Sequence, residues 1–244
     1  MIKDAIFISA GKNEDLATYC LKYHKNNFDI FVNIYEDFSA KPFIEKNAKK
    51  CFYYPTTKFI ALSRIYKEYL SEYNTVSVFD DDGVFMDGSP EDLVKYIYNY
   101  NLDIISPAQH PYGKISTYID RVTRLHDGDH KYRITNFIEM NFPVFKNTAL
   151  KQYMDIYDGK LCGYGNDWWF LNVLDANNKN NCAITDKVVI FNPRYYQKKY
   201  SDKKNKTTDI DHFMSPNDRK KQWLETMQKY DLKMWEISNK SIIY

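Results

Sequence analysis

Apolar runs of strand length alternate with stretches of helical period along most of the chain, the pattern of a sheet covered by helices. Ala5 to Ser9 reads as a first strand, Glu14 to Lys25 as a helix and Asp29 to Tyr35 as a second strand. Phe59, Leu62, Ile65, Tyr66 and Tyr69 form a helical stripe within Phe59 to Glu72, and the β-branched run Thr75 to Phe79 follows as a strand. Ser89-Pro90-Glu91-Asp92 opens a helix to about Tyr100, with a capping hydroxyl, proline at the first helical position and acids at the positive dipole end. Asp103 to Pro107 is the next strand, Thr135 to Phe145 is strand-like, and Lys151 to Tyr157 is helical. Gly163-Tyr164-Gly165-Asn166 breaks the chain before a short helix from Asp167 to about Leu174. Val188 to Phe191 is the last clear strand, and Ser215-Pro216-Asn217-Asp218 starts a final helix.

This grammar predicts an α/β fold: a mixed, mainly parallel sheet flanked by helices, occupying residues 1–192 as one domain. Beyond Pro193 the composition shifts to Lys, Asp, Asn and Tyr, and residues 193–244 are expected to form a helical and irregular appendage packed on that core. The polar stretch Gln109 to Arg133, with Arg121, Arg124, His126, His130, Lys131 and Arg133, reads as a long loop, either a substrate lid or a solvated insertion.

With 244 residues and 34 basic against 32 acidic side chains, the composition excludes disorder, and a net charge of +2 gives no bulk attraction for nucleic acid. No apolar run approaches the roughly 18 residues needed to cross a bilayer, and the first ten residues lack a secretory h-region, so a cytoplasmic location is expected. Cys20, Cys51, Cys162 and Cys182 are widely spaced, signal neither zinc nor a disulfide framework, and are expected to be reduced. The 22 tyrosines suit sugar stacking and amphipathic packing equally.

The most informative chemistry is Asp80-Asp81-Asp82 directly after the Thr75 strand, because open α/β sheets bind ligands beyond the carboxyl ends of their strands. Continued alternation would put Asp80 and Asp82 on one side and Asp81 on the other. Like charges so close call for a cation, and an all-oxygen set favours Mg2+ or Mn2+ together with substrate phosphates. The plainer alternative makes Asp82-Gly83 a turn dipeptide. Glu139 sits in an apolar run where its carboxylate needs a partner: a ligand hydroxyl, Arg64, or a purely structural ion pair. Asp167 opens a helix, where a carboxylate commonly caps the first turn. Trp168 and Trp169 follow, with flat faces suited either to stacking on a ligand or to packing in the core.

Two families share these segments. Phe79 to Phe85 resembles the first motif of haloacid-dehalogenase-type phosphohydrolases, which would make Asp80 a nucleophile, but that motif normally follows the first strand. The run also resembles the Asp-x-Asp motif of GT-A-type nucleotide-sugar glycosyltransferases, which comes after several strand-helix units. Downstream, Ile105-Ser106-Pro107-Ala108-Gln109, Ile138-Glu139-Met140-Asn141-Phe142-Pro143-Val144-Phe145 and Gly165-Asn166-Asp167 are similar, in order, to segments of a poorly characterised glycosyltransferase-like family.

The resemblance implies a GT-A-like, Rossmann-like fold and a metal-dependent, inverting transfer of a sugar from a nucleotide sugar, with UDP as the first choice, to a glycan hydroxyl. It implies Asp167 and Glu139 as catalytic groups, Ser9, Arg64, Asp80, Asp81 and Ser106 at the donor, Trp168 and Trp169 at the acceptor, and Asp80, Asp82 and Asn192 on Mn2+ or Mg2+. Asn192 stands where that family has histidine, and His212 is a substitute ligand from the tail. The implied acceptor is a surface polysaccharide or lipid-linked saccharide. Arg194, Tyr195, Tyr196, Lys198, Lys199, Lys203 and Lys204 could dock on an anionic membrane or glycan, or form a solvated face. A non-catalytic nucleotide- or glycan-binding module is the third reading.

Overall fold

The computed structural model describes residues 3–12, 14–115, 119–126, 130–194 and 213–244. In chain order the first half comprises β1 (Asp4–Ala10), α1 (Asp15–Tyr23), β2 (Asp29–Ile34), α2 (Lys41–Asn47), β3 (Lys50–Phe52), α3 (Lys58–Ile65), β4 (Thr75–Asp80), β5 (Val84–Asp87) and α4 (Pro90–Tyr100). The second half comprises β6 (Ile104–Gln109), α5 (Asp120–Thr123), β7 (Tyr132–Thr135), β8 (Val144–Lys146), α6 (Asn147–Ile156), α7 (Asn166–Val173), β9 (Cys182–Phe191), α8 (Pro216–Lys229) and β10 (Asn239–Ile243).

Among the described residues the strands form one sheet in the order β10-β7-β9-β6-β8-β4-β1-β2-β3, with β5 added on β9. β1 is parallel to β2 and β4, and β6 to β9. β8 runs antiparallel to both β4 and β6, so those two point the same way and share a carboxyl edge. Alternate residues feed opposite faces, as the period of two in a strand requires. Ala5 and Phe7 join one core with Phe59 and Leu62 of α3, Leu150 and Tyr153 of α6, and the aromatic residues of α7. Ile6 and Ile8 join the other core with Leu16 and Leu21 of α1, Ile44 of α2, and Leu93 and Ile97 of α4. A sheet covered on both faces leaves its edges and strand ends for ligands.

The predicted strand from Thr135 to Phe145 is two strands with an excursion between them. The Thr135 hydroxyl accepts a hydrogen bond from the Phe137 amide at 3.1 Å, and this local bond draws the backbone out of the ladder until β8 begins at Val144. β9 is longer than Val188 to Phe191, starting at Cys182 and carrying a bulge where the register jumps from Thr185 to Val189. In that bulge Asp186 accepts two hydrogen bonds from the fully buried Arg133 guanidinium, at 2.9 and 3.0 Å, and also pairs with His130. Arg133 donates in addition to the carbonyls of Val122 and Arg124, which ties the described part of the long polar loop to the sheet.

Past residue 213 the chain is built into the core. β10 pairs antiparallel with β7 at the sheet edge, and Trp223 of α8 is 1% exposed. The four cysteines are free thiols, Cys51 half-buried and the others buried. No helix among the described residues is long and apolar enough to cross a membrane. Tyr195, Tyr196, Lys198, Lys199, Lys203, Lys204 and His212 lie outside the described residues.

Candidate active site

A cavity of about 400 Å³ opens at the shared carboxyl edge of the parallel strands. Ser9 reaches it from the end of β1, Tyr35 from just past β2, Asp80 from the last position of β4 and Asn192 from just past β9. Asp81 and Asp82 line it from the bend after β4, Glu139 from the excursion between β7 and β8, and Asp167 from the first turn of α7. Seven of the residues singled out in the sequence thus meet in one space although they are distributed over most of the chain.

The acidic run does not continue the alternation of a strand, because β4 ends at Asp80 and the chain bends at once. Asp81 therefore faces the same cavity as its neighbours. Its Oδ2 accepts a hydrogen bond from the Gly11 amide at 2.6 Å and another from the Tyr35 hydroxyl at 3.3 Å, so this carboxylate fastens the end of β4 to the loop after β1. Asp80 Oδ1 pairs with the Lys58 ammonium at 2.8 Å. Lys58, only 9% exposed, also donates to the carbonyls of Met140 at 2.7 Å and Asn141 at 3.1 Å.

Burial pushes Asp167 up to about 6, against hydrogen bonds from its own amide and that of Trp168. Burial likewise pushes Glu139 up to about 7; Lys114 pulls it down, while the charges of Asp167 and Asp80 push it higher. The Oε2 atom of Glu139 is buried with no hydrogen-bond partner among the described residues, a costly state that an incoming hydroxyl would relieve. Two carboxyl groups with pKa values displaced toward neutrality beside a cavity are suited to moving protons.

Asp80, Asp82 and Asn192 offer hard oxygen donors, the type that Mn2+ and Mg2+ prefer. Among the described residues no group of three or more His, Cys, Asp or Glu side chains is gathered so as to hold an ion by itself. A set with two carboxylates fits an ion whose other positions are filled by water and phosphate oxygens.

Four sequence expectations do not hold at this cavity. Trp168 and Trp169, expected to stack on an acceptor, are 2% and 0% exposed. Trp168 packs edge-on against Phe137 and Trp235, and Trp169 edge-on against Tyr153 and Tyr157 and tilted over Tyr230, because α7 is covered on nearly every side. Arg64, expected at the donor, is exposed on α3 and stacks over the Tyr54 ring outside the cavity. Ser106 is buried within β6, with its hydroxyl turned to the neighbouring Pro107 carbonyl. Among the described residues, the cations that line the cavity are Lys58, Lys114 and Arg219. Lys58 opens a helix like any solvated lysine, and Arg219 lies in the tail, so neither carried a sequence signal; its spacing of four from the buried Trp223 is the one hint for Arg219.

No family model matches the chain, and no curated relative does. Solved structures share its architecture. The S. aureus TarS 1-349 structure superposes with a TM-score of 0.56 at 14% identity, over 79% of this chain and 60% of that one. The same TarS fragment in complex with UDP-GlcNAc gives 0.54 at 13%, over 77% and 58%. GalNAc-T7 with UDP, GalNAc and Mn2+ gives 0.53 at 10%, over 79% and 44%. The chain thus spans about 60% of the length of the TarS fragment and less of GalNAc-T7. What these likenesses establish is the architecture: the chain carries the mixed α/β fold of GT-A-type glycosyltransferases.

Proposed function

We propose that the chain is a nucleotide-sugar glycosyltransferase, with UDP the nucleotide, transferring a sugar to the hydroxyl of a glycan acceptor in a metal-dependent, inverting displacement. The observation that carries this reading is the convergence of Asp80, Asp82, Asn192, Glu139 and Asp167 on one cavity at the carboxyl edge of the sheet. The UDP, UDP-GlcNAc and Mn2+ held by proteins of the same architecture support it.

Asp80, Asp82 and Asn192 would hold Mn2+ or Mg2+, which when bound supplies Lewis-acid stabilisation of the departing diphosphate. Lys114 and Arg219 bring further positive charge to the same space, where it would face the diphosphate. Asp167, ionised above about pH 6, takes the proton of the acceptor hydroxyl as the new glycosidic bond forms. The α7 start and its Gly-rich turn fix that carboxylate, so its orientation is preset. The unpartnered Glu139 oxygen accepts a hydrogen bond from a sugar hydroxyl. Ser9 and Asp81 shape the donor side of the cavity.

Incubation with a panel of sugar nucleotides, with Mn2+ or with EDTA, tests this reading. Donor hydrolysis or transfer that depends on metal is the expected result. Phosphatase turnover with a trapped aspartyl-phosphate at Asp80 would replace it with the phosphohydrolase reading, and donor binding without turnover would reduce it to a binding module.

A further inference from the structure

The buried ammonium of Lys58 is the least expected group in the cavity. It comes from the first residue of α3, is 9% exposed, and lies 2.8 Å from Oδ1 of Asp80. Its other donors are spent on the carbonyls of Met140 and Asn141, at 2.7 and 3.1 Å. The Asp80 amide donates to that same Asn141 carbonyl at 2.9 Å, so ammonium and carboxylate are knitted to one backbone segment. Withdrawing Lys58 would take a donor from both carbonyls and a cation from the carboxylate at once. The cation is therefore a fixed part of the acidic cluster.

A fixed positive charge 2.8 Å from one carboxylate of the proposed metal-binding pair opposes a second cation there, and the burial of the ammonium limits how far solvent screens it. A diphosphate brings negative charge that offsets it. We propose that Lys58 is a built-in counter-ion of Asp80 that keeps divalent metal off the free protein, so that metal and nucleotide diphosphate bind together. This rests on the nucleotide reading above and assigns to Lys58 a positioning role in the order of binding. By linkage, whatever UDP adds to metal affinity, metal adds to UDP affinity.

The test is Mn2+ binding followed by electron paramagnetic resonance, without and with UDP, and UDP binding by calorimetry at fixed Mn2+. Wild type, Lys58→Gln and Lys58→Arg are compared, each checked for folding by circular dichroism. Wild type should bind Mn2+ weakly alone and about tenfold or more tightly with UDP. Lys58→Gln, which keeps a donor for the carbonyls but loses the charge, should bind Mn2+ alone about tenfold more tightly and lose most of the UDP effect. Lys58→Arg should behave as wild type. Mn2+ affinity in wild type that is indifferent to UDP would overturn the inference while leaving UDP binding to stand. So would a folded Lys58→Gln with unchanged Mn2+ affinity, or a Lys58→Arg with the tight affinity expected of the neutral variant. Wild type that binds no UDP at any Mn2+ concentration would overturn the nucleotide reading and this inference with it.

Discussion

Trp223 of α8 lies over Gly165, in the space that a side chain at that position would need. Gly165 has a φ of 91° and its Cβ would overlap the indole ring. The glycine thus meets two demands, a left-handed backbone and the close approach of a helix from the C-terminal segment. Gln222, one residue away, accepts from the Cys162 amide at 2.7 Å and donates to the Lys160 carbonyl at 2.8 Å, fixing the approach to the same turn. Gly165→Ala should destabilise the protein by about 2–4 kcal/mol, the sum of backbone strain and overpacking. Urea denaturation checks this, and a loss under 0.5 kcal/mol would mean that α8 shifts without cost.

Asp167 follows that turn, so its role can be separated from the stability of the fold. Asp167→Asn should lower kcat by roughly 10²–10⁴-fold while leaving the affinity for UDP within about threefold. In the wild type kcat/KM should rise with pH through about 6, and the variant should lack that ascending limb. A pH profile measured for both proteins with saturating metal decides it; an unchanged limb in the variant would move the base elsewhere.

Glu139 gives a stability prediction with a definite sign. Its folded pKa of about 7 lies above the ordinary 4.5, so between those values the folded protein binds more protons than the unfolded chain. Stability therefore falls as pH rises from 4.5 to 7. Glu139→Gln removes that loss. Melting midpoints of the two proteins should agree below pH 4.5 and diverge toward neutrality, the variant melting higher above pH 7. A variant that melts lower at every pH would show that the carboxylate has a structural partner.

Arg133 and Asp186 predict a strong dependence of the fold on one buried pair. Although burial opposes its charge, Asp186 is held below the ordinary carboxylate range by the Arg133 guanidinium. Arg133→Met leaves that carboxylate buried without its main partner and frees the carbonyls of Val122 and Arg124, a loss of about 3–5 kcal/mol. The double variant Arg133→Met, Asp186→Leu should recover part of it, as equilibrium unfolding of the three proteins would show.

The central strands β1, β2, β4 and β6 were legible because they are apolar runs buried on both faces, and the helices α1, α3 and α4 because each carries one apolar stripe. α2 and β3 went unread: Lys41 to Phe52 is short and rich in lysine, with Ile44 the one fully buried residue of its helix. β10 is likewise short and half-exposed, paired only along the sheet edge. In the cavity the acids were legible because three in a row, or one in an apolar run, is unusual. The cations were not, since a buried lysine such as Lys58 differs from a solvated one only in its tertiary partners. Trp168 and Trp169 misled because proximity in sequence to Asp167 says nothing about which side of a buried helix faces the cavity.

In the proposed reaction Asp80, Asp82 and Asn192 grip a cation that carries a nucleotide diphosphate. Anomalous diffraction from crystals soaked with Mn2+ and UDP measures this directly. A single Mn2+ peak bounded by those three side chains is expected, with diphosphate density beside it and facing Lys114 and Arg219. Fully occupied UDP elsewhere on the molecule, with no manganese peak at the end of β4, would contradict it.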